Sequence, residues 1–571
     1  MGGLLGLCIL IIALFRPALD APLFADDSIS VKRVATMDHW TDALYSDAFS
    51  YFRPVKTVFF YSMENAGATA VGYHVVTLIA YLVATIGVFF LARNLFSNSL
   101  CGLAVAAIWS LSATNVTIGA WPSCFNISIA VAAMTFGLLA WDHWRGEHGK
   151  AVLGVAAFLC FALALCSYET AISLAPLAVL IDLFRGRRVL AKGSLARYAG
   201  IAALVVCYAL IRHSQGASLT KDANPSFTSD IESWQIAASA PYFLWTHFLM
   251  WAAPWGRLEC LGSYLWDRSI PAIILPFCWV FLIGIASLCV RMWKPGSIAI
   301  FGLAWFFAAS FPSNNFIPFG NTPYADYYIP IPAIGLSLTL VAVFRILLKV
   351  TRETSIHSPG FVRAAWTGMI LIIAARITNL TAFQNWVQAW TNPAMVLAHT
   401  AAARPHQYLA KSILASIMLD AGDARLAEDY ALRALEDTDE FAMPFRTLGQ
   451  IRYDQGKFEE AAGLFQTALS KRHLTDSSTA ISFYYLGKII GRDPSRADEA
   501  FACFIKVLER HNMDIHYETV IEVADLYDRA DRQADRIKTL TRGLEIYPAD
   551  PRLTALLQQA QEALGEKKDA S

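Results

Sequence analysis

The residues of this sequence that could do chemistry are charged and aromatic side chains placed beside long apolar stretches. Two adjacent carboxylates, here called the acid pair, follow the first apolar stretch directly, in the segment PLFADDSIS (22–30). Three further groups occur where other apolar stretches begin or end, and ionisable residues at membrane boundaries often mark functional sites. The residues concerned are Asp26 and Asp27 (the acid pair), Arg53 and Lys56, Glu169, and Asp326, Tyr327 and Tyr328.

Together these side chains could transfer a sugar from a lipid phosphate to a hydroxyl group. A carboxylate of the acid pair could take the proton of the attacking hydroxyl. A cation such as Arg53 or Lys56 could stabilise the departing phosphate, and aromatic faces could stack on the sugar ring. Two adjacent carboxylates also repel each other, so one could stay protonated or both could share a divalent cation. The sequence assigns no other cofactor.

Each group also has a purely structural interpretation. The acid pair could cap a helix that begins at DDSIS, and Glu169 could cap a helix after a tight turn. The two cations could extend toward lipid headgroups, and the two tyrosines could belong to the aromatic belt of the membrane interface. Because all four groups fall on one predicted side of the membrane, a single site is favoured.

Length and composition predict a membrane protein with more than one domain. The chain has 571 residues, of which 56% are hydrophobic and 16% charged, and its mean hydropathy is +0.42. This composition is too apolar for a soluble enzyme, and the formal net charge of zero indicates no nucleic-acid partner. The ten cysteines lack the spacing of metal ligands, so no metal site is predicted.

The elements that must position the four groups are membrane helices. A span needs about 17–25 predominantly apolar residues. Stretches of this kind lie at 2–19, 72–92, 98–114, 126–141, 151–167, 169–184, 196–212, 270–290, 297–313, 327–349 and 364–381. The sequence therefore predicts about eleven spans, with a shorter aromatic stretch at 240–255.

The distribution of Lys and Arg orients these spans, because short cytoplasmic loops carry an excess of basic residues. The four most basic short loops share one side only if 240–255 does not cross, so that stretch is interpreted as interfacial or re-entrant. The acid pair, the loop at 312–326 and the C-terminal part of the chain then lie outside. The basic loops are 142–150, 185–197, 291–294 and 349–363.

The C-terminal part contains a repeat. In FRTLGQIRYDQGKFEEAAGLFQTALS, small and large residues follow the spacing of the 34-residue tetratricopeptide unit. Ala427 and Ala434 precede Ala461 and Ala468 by 34 residues each, which indicates a preceding unit. Two more divergent units follow, so about four repeats are predicted. The expected architecture is all-α, with a membrane domain at 1–395 followed by a soluble α-solenoid at 400–565.

Several short motifs occur in an order typical of one family. They are FADDSI, YFRPV, GYHVVTLIAYLVATIGVFFLARNLF, SYETAISLAP and ADYYIPIPAIGLS, followed by the repeats. In this order the chain resembles the C-type fold (GT-C) glycosyltransferases that use polyprenyl-phosphate sugars. The resemblance is to the O-mannosyltransferase-like branch that carries tetratricopeptide repeats. One departure is Tyr168, which stands where that branch usually has lysine.

The resemblance implies a role for each group of residues. Asp26 or Asp27 would be the catalytic base, and the sequence does not separate them. The remaining candidates would bind the phosphate or the sugar of the donor. These residues are Arg53, Lys56, Glu169, Asp326, Tyr327 and Tyr328.

The predicted function is transfer of a sugar, with mannose suggested by the resemblance, from a polyprenyl-phosphate carrier to an extracytoplasmic protein or glycan. The repeats would bind the acceptor or a protein partner. The alternatives are a ligase or polymerase of lipid-linked oligosaccharides, and a non-enzymatic membrane anchor for a repeat scaffold. Short loops and the absence of organelle signals favour a bacterial inner membrane with periplasmic repeats, and the endoplasmic reticulum is the second choice.

Overall fold

In a computed structural model the chain forms two compact units, Met1–His406 and Gln407–Ser571. All regular secondary structure is helical within the residues that the structure describes. Those residues are the whole chain except 1, 36, 45–50, 147–148, 216–237, 255–257, 259–273, 315–324, 354–357, 404–407, 472–475, 509–512, 548–549 and 571. Most of the predicted loop 312–326 and the start of the predicted span 270–290 therefore lie outside the described residues.

The first unit is a bundle of apolar helices. Its helices are α1 (Gly2–Phe15), α2 (Asp26–Val34), α3 (Pro54–Asn65), α4 (Ala70–Phe96), α5 (Ser99–Ser110), α6 (Val116–Ala120), α7 (Phe125–Trp144), α8 (Ala151–Ser167), α9 (Leu174–Phe184), α10 (Lys192–Ser214), α11 (Ala240–Ala252), α12 (Ile274–Met292), α13 (Ile298–Ser310), α14 (Pro330–Arg352), α15 (Pro359–Ala389) and α16 (Pro393–Ala403). Short 3-10 helices connect several of them, at Ala113–Asn115, Pro122–Cys124, Glu169–Ser173 and Asp326–Tyr328.

Each of the eleven predicted spans contains a helix, but the helices differ in length. Within the described residues, seven helices are long and apolar enough to cross a membrane. An eighth span is formed if α5 and the following Ala113–Ala120 segment, bent by 68°, are counted together. The remaining three predicted spans hold the shorter helices α8, α9 and α13. The chain is a multi-pass membrane protein, and the break after α5 is not a feature of the predicted pattern.

The N-terminal turn of α14, which directly follows Asp326–Tyr328, is held in place by close contacts. A Cβ atom on Gly335 would lie 2.3 Å from the carbonyl oxygen of Gly302, so α13 and α14 touch through their backbones. The indole N–H of Trp109 donates to the carbonyl of Pro330 (2.7 Å), and that of Trp305 donates to the carbonyl of Ile331 (3.0 Å). These contacts fix the start of α14 and therefore also the position of the Asp326–Tyr328 turn that leads into it.

A buried ion-pair network joins α7, α9 and the basic loops at one end of the bundle. Asp182 is fully buried and accepts hydrogen bonds from Arg145 (3.0 Å) and Arg187 (2.9 Å). Asp142 is bound by Arg185 (2.6 Å) and Arg187 (2.7 Å). Since α7 is about 30 Å long, this network lies a full hydrocarbon thickness away from the other end of α7, where Phe125 begins the helix.

The second unit consists of antiparallel helix pairs of tetratricopeptide type. Gly449 and Gly487 occupy equivalent positions, and a Cβ atom on either would lie within 3 Å of the ring of Phe465 or Phe504 respectively. The small residues thus let two helices approach closely, as the repeat pattern predicts. The helices are α17 (Tyr408–Asp420), α18 (Ala424–Asp437), α19 (Ala442–Asp454), α20 (Phe458–Ser470), α21 (Asp476–Ile490), α22 (Ala497–Leu508), α23 (Met513–Arg529), α24 (Gln533–Ile546) and α25 (Pro551–Ala570). The all-α prediction, a membrane bundle followed by a repeat array, is confirmed.

Candidate functional site

The acid pair forms the first turn of α2. Asp27 is 1% exposed, and its Oδ1 accepts a hydrogen bond from the backbone N–H of Ser123 at 2.7 Å. Its Oδ2 accepts from the backbone N–H of Phe24 at 3.3 Å. Asp26, by contrast, is half-buried. Asp27 therefore ties the start of α2 to the segment that precedes α7, while its neighbour stays accessible.

The turn before the acid pair has an unusual backbone. Ala25 is the N-cap residue of α2 and has a φ of 51°, a positive value that non-glycine residues rarely adopt. Such strained positions persist only where surrounding contacts hold them, and they cluster at functional sites. Here the contacts of Asp27 supply that restraint.

Asp27 is poised to titrate near neutral pH. Burial raises the pKa of its carboxyl to about 7, against the opposing effects of the Ser123 and Phe24 hydrogen bonds and the positive charge of Lys56. Lys56 itself is only 2% exposed. A carboxyl with a pKa near the working pH is suited to proton transfer or to a hydrogen bond that depends on protonation.

Arg53 and Glu169, predicted as separate donor-binding groups, form one ion pair. Arg53 Nε donates to Glu169 Oε2 at 2.8 Å, and Nη2 donates to Oε1, which gives a two-point contact. Arg212 approaches the same carboxylate at 3.9 Å. The Arg53 guanidinium also lies over the rings of Tyr51 (4.3 Å) and Tyr168 (4.9 Å). Tyr168 therefore supplies an attractive aromatic face where a lysine would repel Arg53.

Asp326 is a second buried carboxyl. Its Oδ2 accepts hydrogen bonds from the indole N–H of Trp386 (2.9 Å) and from the hydroxyl of Thr117. Its Oδ1 is buried and has no hydrogen-bond partner among the described residues. Burial raises the pKa of Asp326 to about 7. The adjacent Tyr327 and Tyr328 are half-buried.

All four predicted groups meet around residues 113–124, here called the central segment. The acid pair, Lys56 and Asp326 all lie within electrostatic range of the Cys124 thiol. The Arg53–Glu169 ion pair and Tyr328 lie within electrostatic range of Tyr168, as does Cys124. The structure thus brings together side chains that are up to about 300 positions apart in the sequence.

An aromatic cluster covers one side of this arrangement. The ring of Trp121 lies 6.0 Å from that of Phe24, 6.4 Å from that of Tyr327 and 5.4 Å from that of Trp390. Trp386 is 6.2 Å from Trp390. The indole N–H groups of Trp121 and Trp390 are buried without a hydrogen-bond partner among the described residues. Aromatic faces with unpaired donors offer stacking and hydrogen bonds to a ring that carries hydroxyl groups.

Sequence reasoning missed the central segment, and it missed Trp386 and Trp390 at the C-terminal end of α15. The predicted span 98–114 covers its first residues, although the segment carries a run of polar residues in an apolar context. Its side chains at Thr114, Asn115 and Thr117 are fully buried, and that run was the available signal. No three His, Cys, Asp or Glu side chains lie close enough to hold a metal ion in the part of the chain that the structure describes.

The raised pKa of Asp326 predicts a pH-dependent stability. The unfolded carboxyl titrates near 3.9, so the folded state binds the proton more tightly and ionisation increasingly disfavours folding as pH rises from about 4 to about 7. We expect Asp326→Asn to gain several degrees in melting temperature relative to wild type over this range, with little difference at pH 4. Thermal melts in detergent would measure it, with the exposed Asp38→Asn as control. A difference that is constant or reversed with pH would contradict the expectation.

No protein-family model and no curated protein matches the sequence. Similar solved structures include ArnT from Cupriavidus metallidurans bound to undecaprenyl phosphate, with 14% identity, a TM-score of 0.37, and coverage of 73% of this chain and 80% of that chain. The apo state of the same protein has 15% identity and a TM-score of 0.34, with coverage of 73% of this chain and 80% of that chain. The APC/C hetero-tetramer Cut9-Hcn1 has 14% identity and a TM-score of 0.28, with coverage of 93% of this chain and 98% of that chain. All three similarities have identities below 25% and TM-scores below 0.5, and no role is inferred from them.

Proposed function

We propose that this chain is a membrane glycosyltransferase that moves a sugar from a polyprenyl-phosphate carrier to a hydroxyl group outside the cytoplasm. The observation that carries the proposal is the accessible Asp26 held beside the fixed, buried Asp27, with Lys56 and the aromatic cluster around the same segment. Carboxylates, a cation and aromatic faces are the groups that this reaction needs.

Asp26 is the proposed catalytic base, because it is the half-buried member of the acid pair. The acceptor oxygen attacks the anomeric carbon and its proton passes to Asp26. The bond between that carbon and the phosphate oxygen breaks, and the lipid phosphate leaves with the electron pair. Asp27 is proposed as a positioning residue, since its carboxylate holds the backbone of Phe24 and Ser123.

The remaining groups are assigned to the donor. Lys56 supplies positive charge near the acid pair, and the Arg53–Glu169 ion pair fixes the wall formed by Tyr168. Asp326, Tyr327, Tyr328 and the aromatic cluster bind the sugar, with mannose as the first candidate. The half-buried tyrosines provide the accessible edge of that surface.

We further propose a transferase domain at 1–395 and a repeat domain at 400–565 that binds the acceptor or a protein partner. The basic ion-pair network at the far end of α7 supports an extracytoplasmic position for the acid pair, because short cytoplasmic loops carry an excess of Lys and Arg. A bacterial inner membrane with periplasmic repeats is the proposed location.

The test is a donor panel. Purified full-length protein in nanodiscs would be given several polyprenyl-phosphate sugars, and release of polyprenyl phosphate would be followed in the presence of candidate acceptor peptides and glycans. Release from one sugar identifies the donor. The enzyme assignment fails if two results coincide. No donor releases polyprenyl phosphate with any acceptor, and the isolated repeats on an unrelated membrane tether replace the protein in cells. The anchor alternative then stands.

A further inference from the structure

An arginine lies inside one of the candidate spans without a carboxylate partner. Arg376 belongs to α15, and among the described residues no Asp or Glu forms an ion pair with it. Its guanidinium lies over the ring of Trp251 at 4.4 Å, and Nη2 approaches the Trp251 carbonyl oxygen at 3.5 Å. Its Nε is buried and has no hydrogen-bond partner in the part of the chain that the structure describes. A cation at this depth is costly, and such residues usually face a ligand or a pathway.

Arg376 opens into an apolar groove on the outside of the bundle. A cavity of about 560 Å³ lies between α5, α14 and α15, and none of the described residues that line it is acidic. Its walls are Leu, Ile, Val, Phe and Ala side chains, several of which are exposed toward the lipid, including Leu100 (76%) and Ile377 (62%). Arg345 lies at the other end of the groove, which runs about 16 Å along α5 from Leu100 to Leu111.

The Arg376 end of the groove adjoins the candidate site. Asn379, one helical turn further along α15, accepts a hydrogen bond from the backbone N–H of Ala113 at 3.1 Å. Its Nδ2 donates to the same Trp251 carbonyl at 2.9 Å. Ala113 begins the central segment, which carries both Thr117 and Ser123. A headgroup at Arg376 would therefore sit beside the segment that supports the acid pair.

Of the cations already described, Lys56 supplies charge near the acid pair, and neither it nor Arg53 lines this groove. Arg53 is engaged with Glu169 through two contacts, so its charge is neutralised where it stands. An anionic headgroup entering from the lipid would instead meet the unneutralised charge of Arg376, while its chain would match the apolar walls. Charge and apolarity together select a lipid with a phosphate head and a long hydrocarbon tail.

We propose that this groove binds the polyprenyl-phosphate carrier, with the phosphate on Arg376 and the isoprenoid chain along α5. The inference rests on the proposed function, because it takes the carrier lipid of that reaction as the occupant. Arg376 is then a binding residue for the lipid carrier, distinct from the acid pair that handles the proton.

The test measures binding of polyprenyl phosphate itself, so that it does not depend on turnover. The dissociation constant would be determined by native mass spectrometry of protein released from nanodiscs, for wild type, Arg376→Gln, Arg376→Lys and the exposed control Arg363→Gln on the same helix. We expect Arg376→Gln to weaken binding about tenfold or more, Arg376→Lys to retain most of it, and Arg363→Gln to bind like wild type.

A role of Arg376 limited to holding the end of α11 through Trp251 is tested by the same set. The glutamine variant loses the positive charge but keeps a donor for the Trp251 carbonyl, so a purely structural role predicts unchanged lipid binding in Arg376→Gln. That result would overturn the inference. Loss of binding in Arg345→Gln alone would also overturn it, as would equal displacement of polyprenyl phosphate by phosphatidylglycerol. If wild type transfers sugar while Arg376→Gln binds normally, only the groove is wrong. If wild type neither binds polyprenyl phosphate nor transfers, the proposed function fails.

Discussion

Replacing Asp26 with asparagine should lower the rate of polyprenyl phosphate release on the order of 10²- to 10⁴-fold, the usual contribution of a positioned general base. Asparagine has the same size as aspartate but cannot accept the proton of the attacking hydroxyl. Because Asp26 is half-buried and lies in the first turn of α2, the exchange should leave the fold and its melting temperature nearly unchanged. The measurement is a progress curve of lipid-phosphate release with the donor identified by the panel.

Two further variants locate the base. Asp27→Asn should reduce both activity and melting temperature, because the amide keeps one acceptor oxygen for two backbone N–H groups, those of Ser123 and Phe24. Asp38→Asn, at an exposed position in the same predicted outer region, should behave like wild type. Full activity in Asp26→Asn with a thousandfold loss in Asp27→Asn would move the base to Asp27. Full activity in both would rule out the acid pair as the source of the base.

The sequence predicted the helical elements better than it predicted how the candidate side chains are connected. Runs of apolar residues indicated membrane helices, and the small-residue spacing indicated the repeat pairs, because both patterns are local in the chain. The candidate groups were recognised by their position beside apolar stretches, and the structure brings them around one segment. The pairing of Arg53 with Glu169 could not be predicted from the sequence, because the two residues are 116 positions apart.

The central segment shows why part of the candidate site was not predicted. Residues 98–114 have the composition of a span, but the helix breaks after Ser110 and the chain bends by 68°. The break is stabilised by distant residues, among them Asn379, which accepts a hydrogen bond from the N–H of Ala113. Hydropathy cannot report a contact across 266 positions, so a bent segment in the centre of the bundle was predicted as the end of a straight span.

The aromatic cluster is another non-local feature. Phe24, Trp121, Tyr327 and Trp390 come from four separate parts of the chain, and each is unremarkable in its own neighbourhood. From the sequence, Tyr327 has an interfacial interpretation as a residue near a span end, and no role is predicted for the other three. Only the fold places them next to one another and next to the acid pair.

The second large effect is expected from the Arg53–Glu169 ion pair. Its side chains are 15% and 9% exposed, so Arg53→Gln removes the two-point contact and leaves a buried carboxylate that Arg212, at 3.9 Å, compensates less closely. Breaking one partner of such a pair typically costs about 3–5 kcal/mol of unfolding free energy. The measurement is an unfolding titration in mixed detergent micelles. As a control, Lys349→Gln breaks an exposed pair with Glu353 and should cost at most about 1 kcal/mol.

The double variant Arg53→Gln/Glu169→Gln separates stability from function. With neither charge left in the interior, most of the lost stability should return, because two amides of similar size can hydrogen-bond to each other. Activity should stay low, since the guanidinium that packs on Tyr51 and Tyr168 is still missing. Recovery of both stability and activity in the double variant would mean that the pair only holds the bundle together. If neither stability nor activity returns, the fold requires the charged side chains themselves, and removing the unpaired buried charge is not enough.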